Sequence, residues 1–186
     1  MDSDKFIFCL EAVTDIEELV PSQALRNLED LARQYGIGSI YKTCDTIEGL
    51  EDSLNALLYD DHNFDNYEII YLVMGGDANS INIAGYYYSL IEIAEIFEGR
   101  MKGKILHFSN AKMLDLTPEE SQYFLDVTGA RAISGYGVAM GLILNDRLDK
   151  EFFNLYQDEA DLISVVEMLH LRYYDLCRQL DFRLYY

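Results

Sequence analysis

The sequence has no tryptophan, two prolines, three cysteines and three histidines in 186 residues. With so little proline and no low-complexity stretch, nothing in it reads as a linker. One domain spanning residues 1–186 is expected, a length that can bury one substantial core. Cys9, Cys44 and Cys177 are odd in number and lack CxxC spacing. They read as reduced structural thiols rather than zinc ligands. No two histidines stand at metal-ligand spacing, so no metal is expected. Gly75-Gly76-Asp77 matches neither GxxxxGK[ST] nor GxGxxG, and no cofactor is expected either.

Basic residues are scarce as well. Fourteen Lys and Arg face 33 Asp and Glu, for a formal charge of −19 and a pI near 4.3. Such a surface repels phosphate backbones, which argues against nucleic acid and anionic membranes as partners. No window approaches the ~18 apolar residues of a membrane span. The opening Met-Asp-Ser-Asp-Lys lacks the basic start of a signal peptide, and a cytoplasmic protein is the expectation.

What the chain does have is apolar periodicity. Half its residues are hydrophobic, among them fifteen Tyr and nine Phe. Nearly continuous apolar runs predict buried strands at 5–13, 68–74, 104–108 and 130–134, with a short one at 38–42. Between them helices are predicted at 22–35 (Leu25, Leu28, Ala32 and Tyr35 inward), 46–59 (Ile47, Leu50, Leu54 and Leu57 inward), 89–98 and 117–128. Ser89 with Glu92 and Thr117 with Glu120 form the spacing of capping boxes. A hairpin is predicted at 79–88, and two helices at 139–156 and 160–184. Strand–helix alternation predicts an α/β fold, a three-layer α/β/α sandwich on a mostly parallel sheet.

Three turns close predicted strands on the shared carboxyl edge of that sheet, where α/β proteins place their chemistry. They are Gly75-Gly76-Asp77, Ser109-Asn110-Ala111 and Gly135-Tyr136-Gly137. Together they predict a crevice with Gly76, Asp77, Asn79, Ser109, Asn110 and Tyr136 as its binding groups. The backbone amides of Gly75 and Gly76 could face an oxyanion; the plainer reading is that these glycines serve tight turns with positive φ. His107, inside a strand, reads as a hydrogen-bonded core histidine rather than a base. Ala111, at the apex, offers no reactive atom.

Phe6-Ile-Phe-Cys-Leu-Glu11, Met101-Lys-Gly-Lys-Ile-Leu-His-Phe108 and Thr128-Gly-Ala-Arg-Ala-Ile-Ser-Gly-Tyr136 follow one another in an order that resembles the bacterial caspase-like cysteine peptidases. The clan also holds caspases, gingipains and separase, and the likeness is greatest to a small CHAT-like bacterial branch. In that branch one strand ends in Phe-His-Gly-Glu and the next in His-Phe-Gly-Ser-Cys-Ser-Thr-Leu. The resemblance covers most of residues 5–157. It implies a caspase-like fold and a thiolate assisted by a histidine on the neighbouring strand end. The histidine position falls on Gly75 and the cysteine position on Ala111, so no catalytic residue is intact. Where the branch often shows Val-Asp-Trp, this chain has Ala139-Met140-Gly141.

The departures gather in the expected crevice and the matches in the scaffold. The resemblance therefore implies a pseudo-peptidase that binds or regulates, in a bacterial stress or antiphage defence setting. Two alternatives stay open. One is a cysteine endopeptidase of this clan inactivated by alanine at position 111; the other is a small-molecule sensor using the crevice. The last helix carries Leu162, Val166, Leu169, Tyr173, Leu176 and Leu180 at alternating four- and three-residue spacing. That stripe suits a protein partner or a second copy of the chain, and equally suits covering the domain's own sheet.

Overall fold

The computed structural model describes residues 6–14, 22–111, 114–138, 141–159 and 161–186, with the backbone alone at 110, 111 and 141–144. The strands are β1 (Phe6–Ala12), β2 (Ser39–Cys44), β3 (Tyr67–Gly76), β4 (Ser80–Ile83), β5 (Tyr86–Ser89), β6 (Ile105–Ala111), β7 (Ala132–Tyr136) and β8 (Phe182–Tyr185). The helices are α1 (Gln23–Tyr35), α2 (Ile47–Asn55), α3 (Leu90–Ile96), α4 (Pro118–Thr128), α5 (Gly141–Asp158) and α6 (Leu162–Leu180). A π-helical turn, Ala56–Asp60, prolongs α2.

Six strands form one sheet in the order β2-β1-β3-β6-β7-β8. The first five run parallel, and β8 is antiparallel to β7. Parallel strands need both faces covered, and the alternation of side chains along each strand supplies two cores. Phe8, Leu10, Ile70, Leu72, Leu106, Phe108 and Ile133 share a core with Leu50 and Leu54 of α2, Ile93 of α3 and Phe124 of α4. Ile7, Cys9, Ile69, Tyr71, Ile105 and Ala132 face the other way, toward α1, α5 and α6. The three-layer α/β/α sandwich is therefore what the chain builds.

Local signals start α3 and α4 and end α1 and α4 where the sequence places them. Ser89/Glu92 and Thr117/Glu120 close as reciprocal capping boxes on α3 and α4. Gly36 and Gly129 end α1 and α4 in the left-handed conformation that glycine adopts without steric cost. The 79–88 hairpin forms as β4 and β5, and Ile81 and Ile83 are buried together on one face.

Two expectations need correction, and the α6 stripe can be placed. In α1 the buried face is Ala24, Asn27, Leu28 and Leu31, while Ala32 and Tyr35 are exposed. The sequence offers two overlapping apolar stripes there, and packing against α5 selects the one that turns polar Asn27 inward. The last helix stops at Leu180. Asp181 takes φ 52° and the chain returns as β8, an edge strand too short to show a strand period. Finally, the stripe on α6 is occupied by the protein's own core: Leu162, Leu169 and Leu180 are buried, and Val166, Tyr173 and Leu176 pack beside them. A sheet face left bare would expose several large apolar side chains, so α6 covers it, while Val166, Tyr173 and Leu176 stay half-buried at its margin. The apolar residues α6 does present to solvent are Ile163, Leu171 and Tyr174.

Candidate functional site

From β1 the chain crosses to β2 on one side and then to β3 on the other. In open α/β sheets ligands gather at the carboxyl ends beside such a reversal. The strand ends that carry the expected site lie there and one strand further on, at β3 and β6. Their pairing runs regularly from Ile69–Ile105 to Val73–Ser109, shifts register, and resumes with Gly76 opposite Ala111. The shift places an extra residue on β3 between these pairs, as a β-bulge does. Gly75, one residue earlier, is exposed, and a Cβ there would meet nothing within 4 Å.

Gly76 is different. A Cβ on it would lie 1.9 Å from the Ser80 carbonyl oxygen. Likewise a Cβ on Gly137 would lie 2.1 Å from Asp181 Oδ2, and one on Gly135 3.0 Å from the Phe108 carbonyl. These glycines are needed because other groups approach closely. The positive-φ explanation expected from sequence does not apply: the left-handed residues of this edge are Ala78 (φ 46°) and Asn79 (φ 59°).

Asp77 is exposed at the lip, and Asn79 is half-buried. Asn79 Nδ2 donates to the Asp115 carbonyl at 2.9 Å, and its Oδ1 accepts from the Asp115 amide at 2.6 Å. This pair ties the loop after β3 to the loop before α4. Arg183 of β8 holds the latter from the other side, donating to the Leu114 carbonyl at 2.9 Å and to the Asp115 and Asp181 carboxylates. Two further expected crevice groups, Ser109 and Tyr136, do not open onto it. Ser109 is 2 % exposed and Tyr136 is fully buried. Both belong to the inward-facing set of their strands and lie under α5. Asn110 is backbone of β6, and Ala139 and Met140 fall outside the described residues.

Under α5 lies a polar network that sequence reading did not find. Tyr71, His107 and Ser134 are register partners across β3, β6 and β7, and Asp149 of α5 reaches down to them. Its Oδ2 accepts from Tyr71 Oη and Ser109 Oγ, each at 2.7 Å. Its Oδ1 accepts from His107 Nε2 at 2.7 Å and from Tyr136 Oη. His107 Nδ1 meets Ser134 Oγ at 2.8 Å. Since an ionised carboxylate only accepts, Nε2 carries a proton, and in the neutral ring Nδ1 then accepts from the serine. Burial, and after it the nearby Asp149, push the Tyr71 and Tyr136 hydroxyls well above their ordinary value, so both remain donors.

Ser134, His107 and Asp149 thus have the connectivity of a serine hydrolase triad. Their surroundings do not allow that chemistry. Ser134 and His107 are 0 % exposed and Asp149 is 1 % exposed, mid-sheet beneath a helix. Substrate would have to enter the core. The network is structural, and His107 is the hydrogen-bonded core histidine expected. Asp149 could have been noticed in the sequence, since it stands three and four residues before Phe152 and Phe153, on the stripe that turns inward.

A family model matches residues 4–186, nearly the whole chain, and is described as a family of unknown function (DUF6642). The chain belongs to that family. No curated protein matches it.

The thiols of this family member do not stand beside positions 75 and 111: Cys9 lies within β1, Cys44 ends β2 at the far edge of the sheet and Cys177 lies on α6. Cys9, Cys44 and Cys177 are free and buried. Burial pushes Cys44 up to about 12 and Cys177 to about 11, and drives Cys9 well above its usual value with help from Glu11. Nucleophilic cysteines need the opposite shift. Among the described residues no group of His, Cys, Asp or Glu is arranged to hold a metal ion, and no helix is long and apolar enough to cross a membrane.

Beside the network, Asp146 of α5 faces Asn27 of α1. Asp146 Oδ2, Asn145 Oδ1 and Asn27 Nδ2 are buried without a protein partner. Burial and then Asp149 raise the Asp146 carboxyl to about 6, with Glu11 adding a smaller push and Asn27 and Lys150 pulling it down. The folded state therefore holds this proton more tightly than the unfolded chain does. That contribution to stability is present below about pH 4 and is lost as pH rises through about 6. Asp146→Asn is expected to remove this dependence, so that urea midpoints of variant and parent separate in the variant's favour between pH 4 and pH 7. Midpoints with the same separation at both pH values would count against the assignment.

Proposed function

We propose that this protein is a caspase-like pseudo-peptidase that acts by binding or regulating another molecule, in the bacterial stress or antiphage setting that the resemblance implies. The observation that supports it best is the pairing of Gly76 with Ala111 at adjacent strand ends. The two positions that the resemblance assigns to base and nucleophile, Gly75 and Ala111, are thereby neighbours on one edge, and neither residue has a reactive side chain. The thiols that remain are buried elsewhere with raised pKa values, so no other cysteine takes over the covalent route.

Two measurements test this reading. The chain as given is expected not to cleave a peptide library, and thiol-sensitive cleavage would refute inactivity. Gly75→His combined with Ala111→Cys tests the positions. Open space at residue 75 admits the imidazole, and an imidazole beside a thiol lowers the thiol pKa by a unit or more. Alkylation by iodoacetamide at pH 7 is therefore expected to run about tenfold faster at the new thiol than in Ala111→Cys alone. Equal rates would sink the caspase-like assignment of these two positions.

A further inference from the structure

The first turns of α3 and α4 stand side by side with the loop after β3, and between them is a groove of about 190 Å³. Leu90, Leu116 and Phe124 form its apolar floor and walls, Glu120 stands at its edge, and the side chains of Ile91 and Tyr123 flank it, 49 % and 44 % exposed. Pockets that enclose a small organic molecule run to roughly 300–1,000 Å³. This one has room for a single large side chain. Its shape is that of an anchor pocket, an apolar hole in which one residue of a partner is desolvated while a polar rim surrounds it.

Among the described residues the rim has one sign of charge. The segments that build the groove, 77–79, 89–95 and 114–126, contain seven acidic residues and no Lys or Arg. Asp77, Glu92 and Glu119 are exposed. Hydrogen bonds from Ser89 hold the Glu92 carboxyl below its usual range, and the capping boxes keep Glu92 and Glu120 fixed in place. Among the described residues Arg183 is the cation seen to reach this region, and it is already bound between Asp181 and Asp115. A −19 chain with an apolar hole inside an acidic rim selects against anionic ligands and against a second, equally acidic copy of itself.

We infer that this groove docks a linear, lysine- or arginine-bearing peptide segment of a partner protein through one large apolar anchor side chain. The inference extends the binding reading above and rests on it only in that the protein works by binding. The groove lies beside the β3–β6 strand ends and does not use positions 75 or 111, so failure of the caspase-like assignment would leave it standing.

The test uses the full chain and a fluorescein-labelled peptide of lysine and serine around one central phenylalanine, followed by anisotropy. This peptide is expected to bind about tenfold more tightly than its twin with serine for phenylalanine, about the 1.4 kcal/mol that a tenfold ratio represents. Binding of both should weaken as salt is raised. Ile91→Arg and Tyr123→Arg, on opposite walls and both at exposed positions, should each abolish the difference with an unchanged circular dichroism spectrum. Leu171→Arg, on the far side of the sheet and 84 % exposed, should leave it intact. If one wall variant misfolds, the other carries the test. Equal affinity for the two peptides, or no effect of the wall variants, would reduce the interaction to bulk charge and overturn the proposal. No binding of either peptide would overturn it too, as would a self-association of the parent chain that the wall variants abolish, since the occupant would then be a second copy.

Discussion

Asp149→Ala is expected to unfold the protein or leave it without fixed tertiary packing. The carboxylate accepts from Tyr71, Ser109, His107 and Tyr136 in a fully buried place. Its removal strands four donors at once. Each unsatisfied buried donor costs about 1–3 kcal/mol. Domains of this kind have about 5–15 kcal/mol in total. Asp149→Asn should be nearly as harmful, because its amide nitrogen would point a donor at donors. Ser134→Ala removes a single bond to His107 and is expected to cost only about 1 kcal/mol. Urea unfolding followed by far- and near-ultraviolet circular dichroism checks the order; an Asp149→Ala variant as stable as Ser134→Ala would show that the network contributes little.

Leu169→Glu should be comparably severe. Leu169 is 0 % exposed and packs with Val165, Leu180 and Phe182 over the sheet. The change deletes a buried aliphatic side chain, a loss of about 2–5 kcal/mol for truncation alone, and forces a carboxyl group into the core without a partner. The expected result by light scattering and circular dichroism is an unfolded or aggregated chain. A folded monomer derived from a parent oligomer would restore the view that the α6 stripe is a partner surface. Leu171→Glu on the outer side of the same helix should change stability by no more than about 0.5 kcal/mol.

These two variants also mark how far the sequence can be read. β1, β3, β6 and β7 were legible because a strand buried on both faces has to be apolar at almost every position, and that leaves an unmistakable run. The capping boxes of α3 and α4 were legible because both partners lie within four residues. His107 was recognised as a core histidine from its place inside such a run. Asp149 was missed because its partners lie 13 to 78 residues away, and a single acid on a helix reads as surface until the helix phase is known. Ser109 and Tyr136 were assigned to the crevice because they stand at strand ends. Which face they point to depends on the pleat, and the cover of that face depends on where α5 lands.

The sequence by itself determined the class of fold, the strand–helix order up to α6, the starts of α1 to α4 and the lack of a reactive side chain at positions 75 and 111. These follow from local periodicity and from chemistry that a single residue either has or lacks. Only the tertiary structure decided that β8 closes the sheet edge, that the α6 stripe covers the protein's own core, and that Gly76 stands opposite Ala111. It alone also gathered Tyr71, His107, Ser109, Ser134, Tyr136 and Asp149 around one carboxylate. Each of those outcomes depends on register and on the rotation of helices against the sheet, and these are set by burying the whole apolar surface at once rather than by any one segment.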